Sequence, residues 1–595
     1  MPKNEKLETK RHSLAHIMAA SILEIFPEAR FGVGPVVEDG FYYDVHLNRP
    51  LTPEDLQVIE KRMREKVKQN LRFERSELGI DAAVDMFRKM SQDFKVELLH
   101  DLKTRGTTAV ADLNDPNLVG GNVNEVSIYK TGAFIDLCRG PHVAATNEID
   151  PESFRLTRVS GAYWRGNQER EQMQRVYGAA FDTKKELEDY FVRLEEAKKR
   201  DHRRLGRELG LCMFHPWAPG AAFWLPKGTT LYNTLANYIR EVLFPAGYVE
   251  VKAPLVFNKA LWETSGHWFH YRQNMFLVET EGEEMGLKAM NCPGHFLMYA
   301  SEVRSYRDLP IRFHEQTPLH RNEASGVLSG LTRVRQFSQD DAHCFVMESQ
   351  IGEEVERILR LVQRVYGDFG LKPEMKLSTR PPEFLGAIET WEHAERDLKR
   401  ALEAIDQQYT VNQGDGAFYG PKIDFDVTDA IGRKWQCATI QLDYQMPERF
   451  DLKYVGADNA EHRPVVIHRA IYGSFERFIA LLIEHYAGAF PVWLAPLQAV
   501  IIPIADRHAD YCVKVRDRLA AAGLRIEIDS SVERMNAKIR NAQVQKIPYM
   551  LVVGDREQEQ GAVAVRLRSG EDLKSKPVDE FLAMAQEAIR SKKGN

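Results

Sequence analysis

Apolar residues open the chain at helical spacing: Leu14, Ile17, Met18, Ile22 and Leu23 share one face over residues 10–26, and Pro27 ends the run. Helix-like and strand-like patterns then alternate through the first 180 residues. Residues 183–209 change character. They are densely charged around a stripe of i, i+3, i+4 apolar positions, which predicts an exposed connecting helix and a domain boundary. From about 213 to 490 the chain is rich in Trp, Phe, His and Pro. This part begins with a helix faced by Leu231, Leu235, Ile239 and Leu243, which passes through Ala246 and Gly247 into a strand ending at Pro254. Lys434–Leu442 reads as a further strand. Beyond the proline-flanked segment 491–496, a strand (497–504), helix (508–522), strand (524–528), helix (533–544) and strand (549–553) alternate as in a small α/β domain.

These patterns divide the 595 residues into 1–182, a linker helix 183–209, a large unit 210–492 and a final domain 493–595. The uncharged stretch Tyr486–Ala505 is long enough to test as a membrane span. Pro491, Pro496 and Pro503 interrupt it and Gln498 lies inside it, so a helix end, a linker and a buried strand explain it better, and no membrane partner is expected. The composition, 44% hydrophobic and 28% charged, excludes collagen-like, disordered and disulfide-scaffold chains. Six scattered cysteines and a charged N-terminus without an apolar core predict a reducing, cytoplasmic setting. A net charge of −6 creates no global basic field. Residues 494–595 nevertheless hold 17 Lys and Arg against 14 Asp and Glu, a mild local excess compatible with a polyanion.

Chemistry gathers in two places. His12-Ser-Leu-Ala-His16 places two histidines on one helical face, and Cys138-Arg-Gly-Pro-His142 repeats the spacing with one of the six cysteines. Together they supply four ligands of the kind zinc takes, and the same groups would equally suit holding a water and a nucleotide for hydrolysis. The second place is the middle unit. Ala289-Met-Asn-Cys-Pro-Gly-His295 is followed by Phe313–Glu323, containing Arg321-Asn-Glu323, and across a loop by Thr332-Arg333-Val-Arg-Gln-Phe337. Arginine forks match phosphate oxygens, an aromatic ring stacks on a base, and a Glu accepts from an exocyclic amine, so this pair of strands suits a nucleotide. Gln339-Asp-Asp341-Ala-His343 adds acids and a histidine, and Val466-Ile-His468-Arg-Ala470 leads through Gly473 into an otherwise apolar helix carrying Arg477. A cation there needs an anion or a route to solvent; Glu476 is a local alternative, but adjacent helical residues diverge.

The helix–strand–Pro254 segment, the Arg321–Phe337 strand pair and the Gly473–Arg477 helix resemble motifs 1, 2 and 3 of the class II aminoacyl-tRNA synthetases. MNCPGH (290–295), QDDAH (339–343), VIHRA (466–470), HSLAH with CRGPH, and GAYWRG (161–166) are similar to the threonyl-tRNA synthetase family, over nearly the whole chain. The resemblance implies an α/β multidomain protein with a class II antiparallel sheet flanked by helices. An N-terminal α+β editing domain would precede it and a C-terminal α/β anticodon-binding domain would follow. It implies ATP-dependent ligation of L-threonine to tRNA(Thr) through threonyl-adenylate, with hydrolysis of mischarged Ser-tRNA(Thr), by a cytoplasmic homodimer.

Carried over residue by residue, the resemblance puts one zinc ion per subunit on Cys292, His343 and His468, with threonine's amino and hydroxyl groups on the metal. Gln339, Asp341 and Tyr419 would hold the threonine. Arg321 would bind the α-phosphate of ATP and stabilise charge there; Glu323 and Phe337 would hold adenine, Arg477 the γ-phosphate, and Arg333 and Gln436 the rest of the nucleotide, with Mg2+ accompanying ATP. A metal that demands a hydroxyl rejects valine but not serine, whose missing methyl is worth only ~1–3 kcal/mol, so a hydrolytic second site is required. His12, His16, Asp136, Cys138 and His142 match that editing site, and Glu557 and Arg566 match positions that read anticodon bases. The editing site is expected to work through a positioned water without a metal. Family members commonly begin with a ubiquitin-like domain, whereas 11 residues precede His12, so a form lacking that domain is expected. Gln336 stands where the family usually has glycine, and Val532 where it often has asparagine.

Overall fold

The computed structural model describes residues 3–108, 123–167, 169–404 and 408–592. The chain separates into two compact units, Met1–Glu195 and Glu196–Asn595. The charged stretch expected as one helix over 183–209 forms two, Lys184–Arg200 and His202–Glu208. Asp201 breaks the run because its carboxylate accepts from the Arg203 amide and so caps the second helix.

In the first unit the helix Lys3–Ile25 extends the predicted 10–26 element toward the N-terminus. Its stripe of Leu14, Ile17, Met18 and Ile22 packs on Phe41, Tyr43, Phe154 and Val176 of an antiparallel sheet, whose main strands are Gly40–His46, Gln172–Ala180 and Phe154–Tyr163. Burying each such side chain contributes about 1.5–3 kcal/mol. A second helix, Pro53–Lys68, starts with a capping box between Thr52 and Asp55 and closes the core with Ile59, Met63 and Val67. A separate three-stranded antiparallel sheet, Phe73–Gly79, Glu125–Thr131 and Phe134–Leu137, ends immediately before Cys138.

The second unit is centred on an eight-stranded sheet in the order Val249–Glu250, Ile311–Glu315, Asp341–Val346, Val465–Ala470, Lys434–Asp443, Lys422–Thr428, Pro373–Ser378, Tyr409–Asn412. The pairings are antiparallel except for the first and last. Helices Pro226–Leu243, Ile351–Asp368, Ile388–Ala404 and Phe475–His485 join its apolar face in one core. A bulge decides which side chains face away from that core. Asp424 pairs with Thr439 but Asp426 with Gln436, so one strand spends an extra residue between them. Gln436 thereby shares a face with Thr439, Gln441 and Asp443, while Trp435, Cys437, Ala438 and Ile440 turn into the core.

The C-terminal layer follows the predicted alternation: strand Ala499–Pro503, helix Ala509–Ala521, strand Ile526–Ile528, helix Met535–Val544 and strand Tyr549–Val553. Two antiparallel strands, Ala562–Leu567 and Asp572–Pro577, and the helix Val578–Ser591 complete it. Ala499, Ile501 and Leu551 face one core while Val500, Ile502 and Met550 face another, which is why these strands read as unbroken apolar runs.

Candidate functional site

Cys292 opens the helix Cys292–Ala300, while His343 and His468 project from neighbouring sheet strands. Their ligand atoms lie within 4.8 Å of one another and all three side chains are buried. The second nitrogen of each imidazole is already held. Lys288 Nζ lies 2.9 Å from Glu315, which also accepts from His295 Nε2 at 3.0 Å; His295 Nδ1 then meets His343 Nδ1 at 2.8 Å. Burial opposes ionisation of Glu315, but hydrogen bonds from His295, Thr317, the Ala253 amide and Lys288 outweigh it and hold the carboxyl at about 2. An ionised Glu315 can only accept, so His295 Nε2–H donates to it, His295 Nδ1 accepts from His343 Nδ1–H, and His343 Nε2 keeps its lone pair for a metal. His468 Nε2 lies 2.9 Å from Asp443, which leaves Nδ1 in the same condition. Burial drives His343 to the neutral form and raises the Cys292 thiol well above its usual range, so the thiolate requires a cation. One thiol and two imidazoles with fixed tautomers fit zinc and leave a coordination position open.

Asp341, Arg321 and Tyr419 lie near this cluster. Asp341 receives the Asn291 amide at 3.0 Å, Tyr419 donates to Gln441, and the Tyr419 ring stands 5.3 Å from that of His468. Gln339 bridges to Ser474 at the start of the Arg477 helix. Successive strand residues point oppositely, so Asp340 turns into the core, accepts from the Ile471 and Tyr472 amides and meets buried Arg469. On the hairpin of Pro318–His320 and Gln336–Ser338, the Arg321 guanidinium lies 5.0 Å from the centre of the Phe337 ring. Arg333 pairs with Glu323 at 3.0 Å, a largely exposed contact of ~0–1 kcal/mol that a nucleotide can replace. Gly473, at φ +80° with the Cys437 carbonyl 2.6 Å from where a Cβ would stand, turns the chain so that Ser474 caps the helix Phe475–His485. Glu476 accepts from the Ser338 amide rather than meeting Arg477. Arg477 Nε is buried without a hydrogen-bond partner, and no ion pair reaches this side chain among the described residues, an arrangement suited to an anion.

A separate site lies in the first unit. His12 Nε2 and His142 Nε2 each approach Cys138 Sγ to 3.3 Å, and the His16 ring centre is 4.3 Å from that of His142. Asp136 anchors the floor: Lys95 lies 2.5 Å away, His16 Nε2 3.5 Å away, and Tyr43 donates to it. Burial lowers all three histidines, His142 to about 2 with help from His16 and His12, and pushes the Cys138 thiol up to about 11. The three histidines and the thiol are therefore a neutral set of donors and acceptors beside a cavity of about 620 Å³. Glu557 and Arg566 lie in the C-terminal layer: Glu557 accepts from the Gly554 amide, and Arg566 stands half-buried on Ala562–Leu567.

Residues 126–177 match the Threonyl and Alanyl tRNA synthetase second additional domain, 276–486 the tRNA synthetase class II core domain (G, H, P, S and T), and 498–588 an anticodon binding domain. A threonine–tRNA ligase of Myxococcus xanthus (strain DK1622) is 52% identical over 592 residues, covering 99% of this chain and 89% of its own. The chain belongs to the threonine–tRNA ligase family. Its chemistry is aminoacylation with editing. The threonine–tRNA ligase of Symbiobacterium thermophilum is likewise 52% identical, covering 99% of this chain and 87% of its own. A solved RNA binding domain of threonyl-tRNA synthetase from Cryptosporidium parvum Iowa II is similar with a TM-score of 0.64 at 44% identity, over 65% of this chain and 98% of that one. In this ligase the sequence pattern alone did not single out Lys288, Glu315, His295 and Asp443 at the three-donor cluster, or Tyr43 and Lys95 at the second site. His295 had a signal, because it sits three residues after Cys292 on one helical face.

Proposed function

We propose that Cys292, His343 and His468 hold zinc and that threonine is activated beside it. The supporting observation is the buried three-donor cluster, with both imidazole tautomers fixed, on the sheet face that also carries Asp341 and Gln441. When bound, zinc supplies an open coordination position that favours an amino acid bearing a hydroxyl. Asp341, Gln339 and Tyr419 surround the amino acid. Arg321 neutralises charge as the threonine carboxylate attacks the α-phosphate, Phe337 stacks on adenine beside Glu323, Arg333 and Gln436 complete the nucleotide pocket, and Arg477 takes the terminal phosphate, with Mg2+ bound to ATP. The test is threonine-dependent ATP–pyrophosphate exchange by zinc-replete protein. Exchange with threonine and serine, and none with valine, is the expected result; no exchange with threonine refutes the reading.

In the same reading, His12, His16, Asp136, Cys138 and His142 position a water for hydrolysis of Ser-tRNA(Thr), and Glu557 and Arg566 contact the anticodon of tRNA(Thr). The enzyme acts as a cytoplasmic homodimer. Six free cysteines accord with a reducing compartment, and no described helix is long and apolar enough to cross a membrane. The ribbon of Cys212–Met213 and Phe223–Trp224 exposes Met213, Phe214 and Phe223, with Trp217 92% exposed in its loop, which suits a self-complementary contact.

A further inference from the structure

His202 begins the helix that follows the Asp201 break, far in sequence from every residue assigned above, yet it is 4% exposed and both its ring nitrogens are engaged. Nε2 lies 3.0 Å from the Leu331 amide, and Nδ1 lies 2.6 Å from Glu484 Oε1. A backbone N–H can only donate, so Nε2 holds the lone pair and Nδ1 the proton, which goes to Glu484. Asp201, His202 and Glu484 are close enough to bind a cation, but neither ring nitrogen is left to ligate one. Glu484 is fixed in turn, accepting the His202 amide at 3.1 Å and pairing with Arg433.

The two ends of this contact matter. Glu484 lies seven residues after Arg477 on the helix Phe475–His485, on nearly the same face two turns along. Leu331 lies two residues before Arg333, which pairs with Glu323, and its fully buried side chain packs in the same core as Leu205 of the His202 helix. Gly330 is packed against the imidazole: its φ is +49°, and a Cβ there would stand 2.3 Å from His202 Nε2.

We propose that His202 is a positioning residue for ATP, a strut that fixes the Glu323–Arg333 loop relative to the helix carrying Arg477. The inference rests on the nucleotide roles proposed for those three residues, whereas the strut itself is read without them. A glutamine at 202 keeps an acceptor near the Nε2 position and loses the Glu484 contact; an asparagine keeps a donor near Nδ1 and leaves the Leu331 amide without an acceptor.

The test compares His202→Gln, His202→Asn and Gly330→Ala in the full chain by amide hydrogen exchange at Leu331, by calorimetric ATP binding, and by KM for ATP and for threonine in the exchange assay. Faster Leu331 exchange is expected in His202→Asn and Gly330→Ala and protection near wild type in His202→Gln, which keeps the acceptor; ATP binding is expected to weaken about three- to tenfold in all three, because each loses one end of the strut, with KM for threonine unchanged. If Leu331 stays protected in His202→Asn, or both KM values rise by the same factor, the strut is refuted. If Leu331 loses protection while ATP binding holds, the contact is real but its role toward ATP is refuted. Wild-type protein that binds ATP without threonine-dependent exchange would refute the ligase reading and leave the strut measurable.

Discussion

His343 and His468 stand directly opposite each other on neighbouring antiparallel strands, with their ring centres 4.5 Å apart. Two imidazoles this close tolerate a charge on both poorly, and burial first, then His468 and His295, keep His343 neutral. The metal site therefore depends on groups behind it that orient the rings. His295→Ala removes the acceptor of the His343 proton and frees that ring to turn. Zinc affinity is expected to fall about 10–100-fold, measured by chelator competition on purified protein. Unchanged affinity would mean that His343 is oriented without His295.

Arg477 and Arg469 lie eight residues apart and make opposite predictions. Arg477 has an orphaned Nε and no carboxylate partner among the described residues, whereas Arg469 is fully buried beside Asp340. Arg477→Leu is expected to leave the melting temperature unchanged or raise it while lowering ATP–pyrophosphate exchange at least about 100-fold. Arg469→Leu strands Asp340 in the core and is expected to cost about 3–5 kcal/mol of stability in denaturant unfolding. A melting loss for Arg477→Leu as large as that for Arg469→Leu would contradict the anion-site reading.

The histidines of the second site predict acid sensitivity. In the folded chain His12, His16 and His142 all have lowered pKa values, mainly through burial, so below about 6.5 the unfolded chain binds protons that the folded one does not. Stability of the first unit is complete above that pH and is lost as pH falls. Each histidine adds a slope of up to about 1.4 kcal/mol per pH unit. His142→Asn should be flatter between pH 5 and 6.5 in thermal melts of the full chain, followed in the transition of that unit. Equal slopes would show that His142 takes up its proton in the folded state.

How far the sequence predicts this architecture depends on whether a property is local. The C-terminal alternation was legible because each element carries its own period, and the Cys292, His343 and His468 assignment came from motif resemblance at distant positions. Gln436 facing the site depends on a bulge, and no period of two predicts the extra residue. The Glu315–His295–His343 relay joins a strand, a helix and a second strand, so no spacing along the chain encodes it. The charged run 183–209 predicted one helix because apolar periodicity does not register a cap such as Asp201.

Assembly is testable at the exposed ribbon. Trp217→Glu introduces a charge at the most exposed of its aromatic residues. If the homodimer uses this face, sedimentation should shift from dimer toward monomer at micromolar concentration while the melting temperature stays near wild type. Wild-type protein that sediments as a monomer would refute the dimer, and a dimeric variant would place the interface elsewhere.

The last prediction separates two roles for Cys138. A thiol pushed up to about 11 is protonated at neutral pH, and both of its histidine neighbours are neutral, so its surroundings do not make it a nucleophile. In the proposed hydrolysis its remaining role is to hold His12 and His142 by weak hydrogen bonds at 3.3 Å. Serine keeps that capacity and alanine does not. Cys138→Ser should therefore retain most deacylation of Ser-tRNA(Thr), whereas Cys138→Ala should lose about 10²-fold, with threonine-dependent exchange unaffected in both. A chelator should leave deacylation by wild-type protein unchanged. Loss of activity in Cys138→Ser equal to that in Cys138→Ala would restore the nucleophile, and loss on chelation would put a metal among the four ligands.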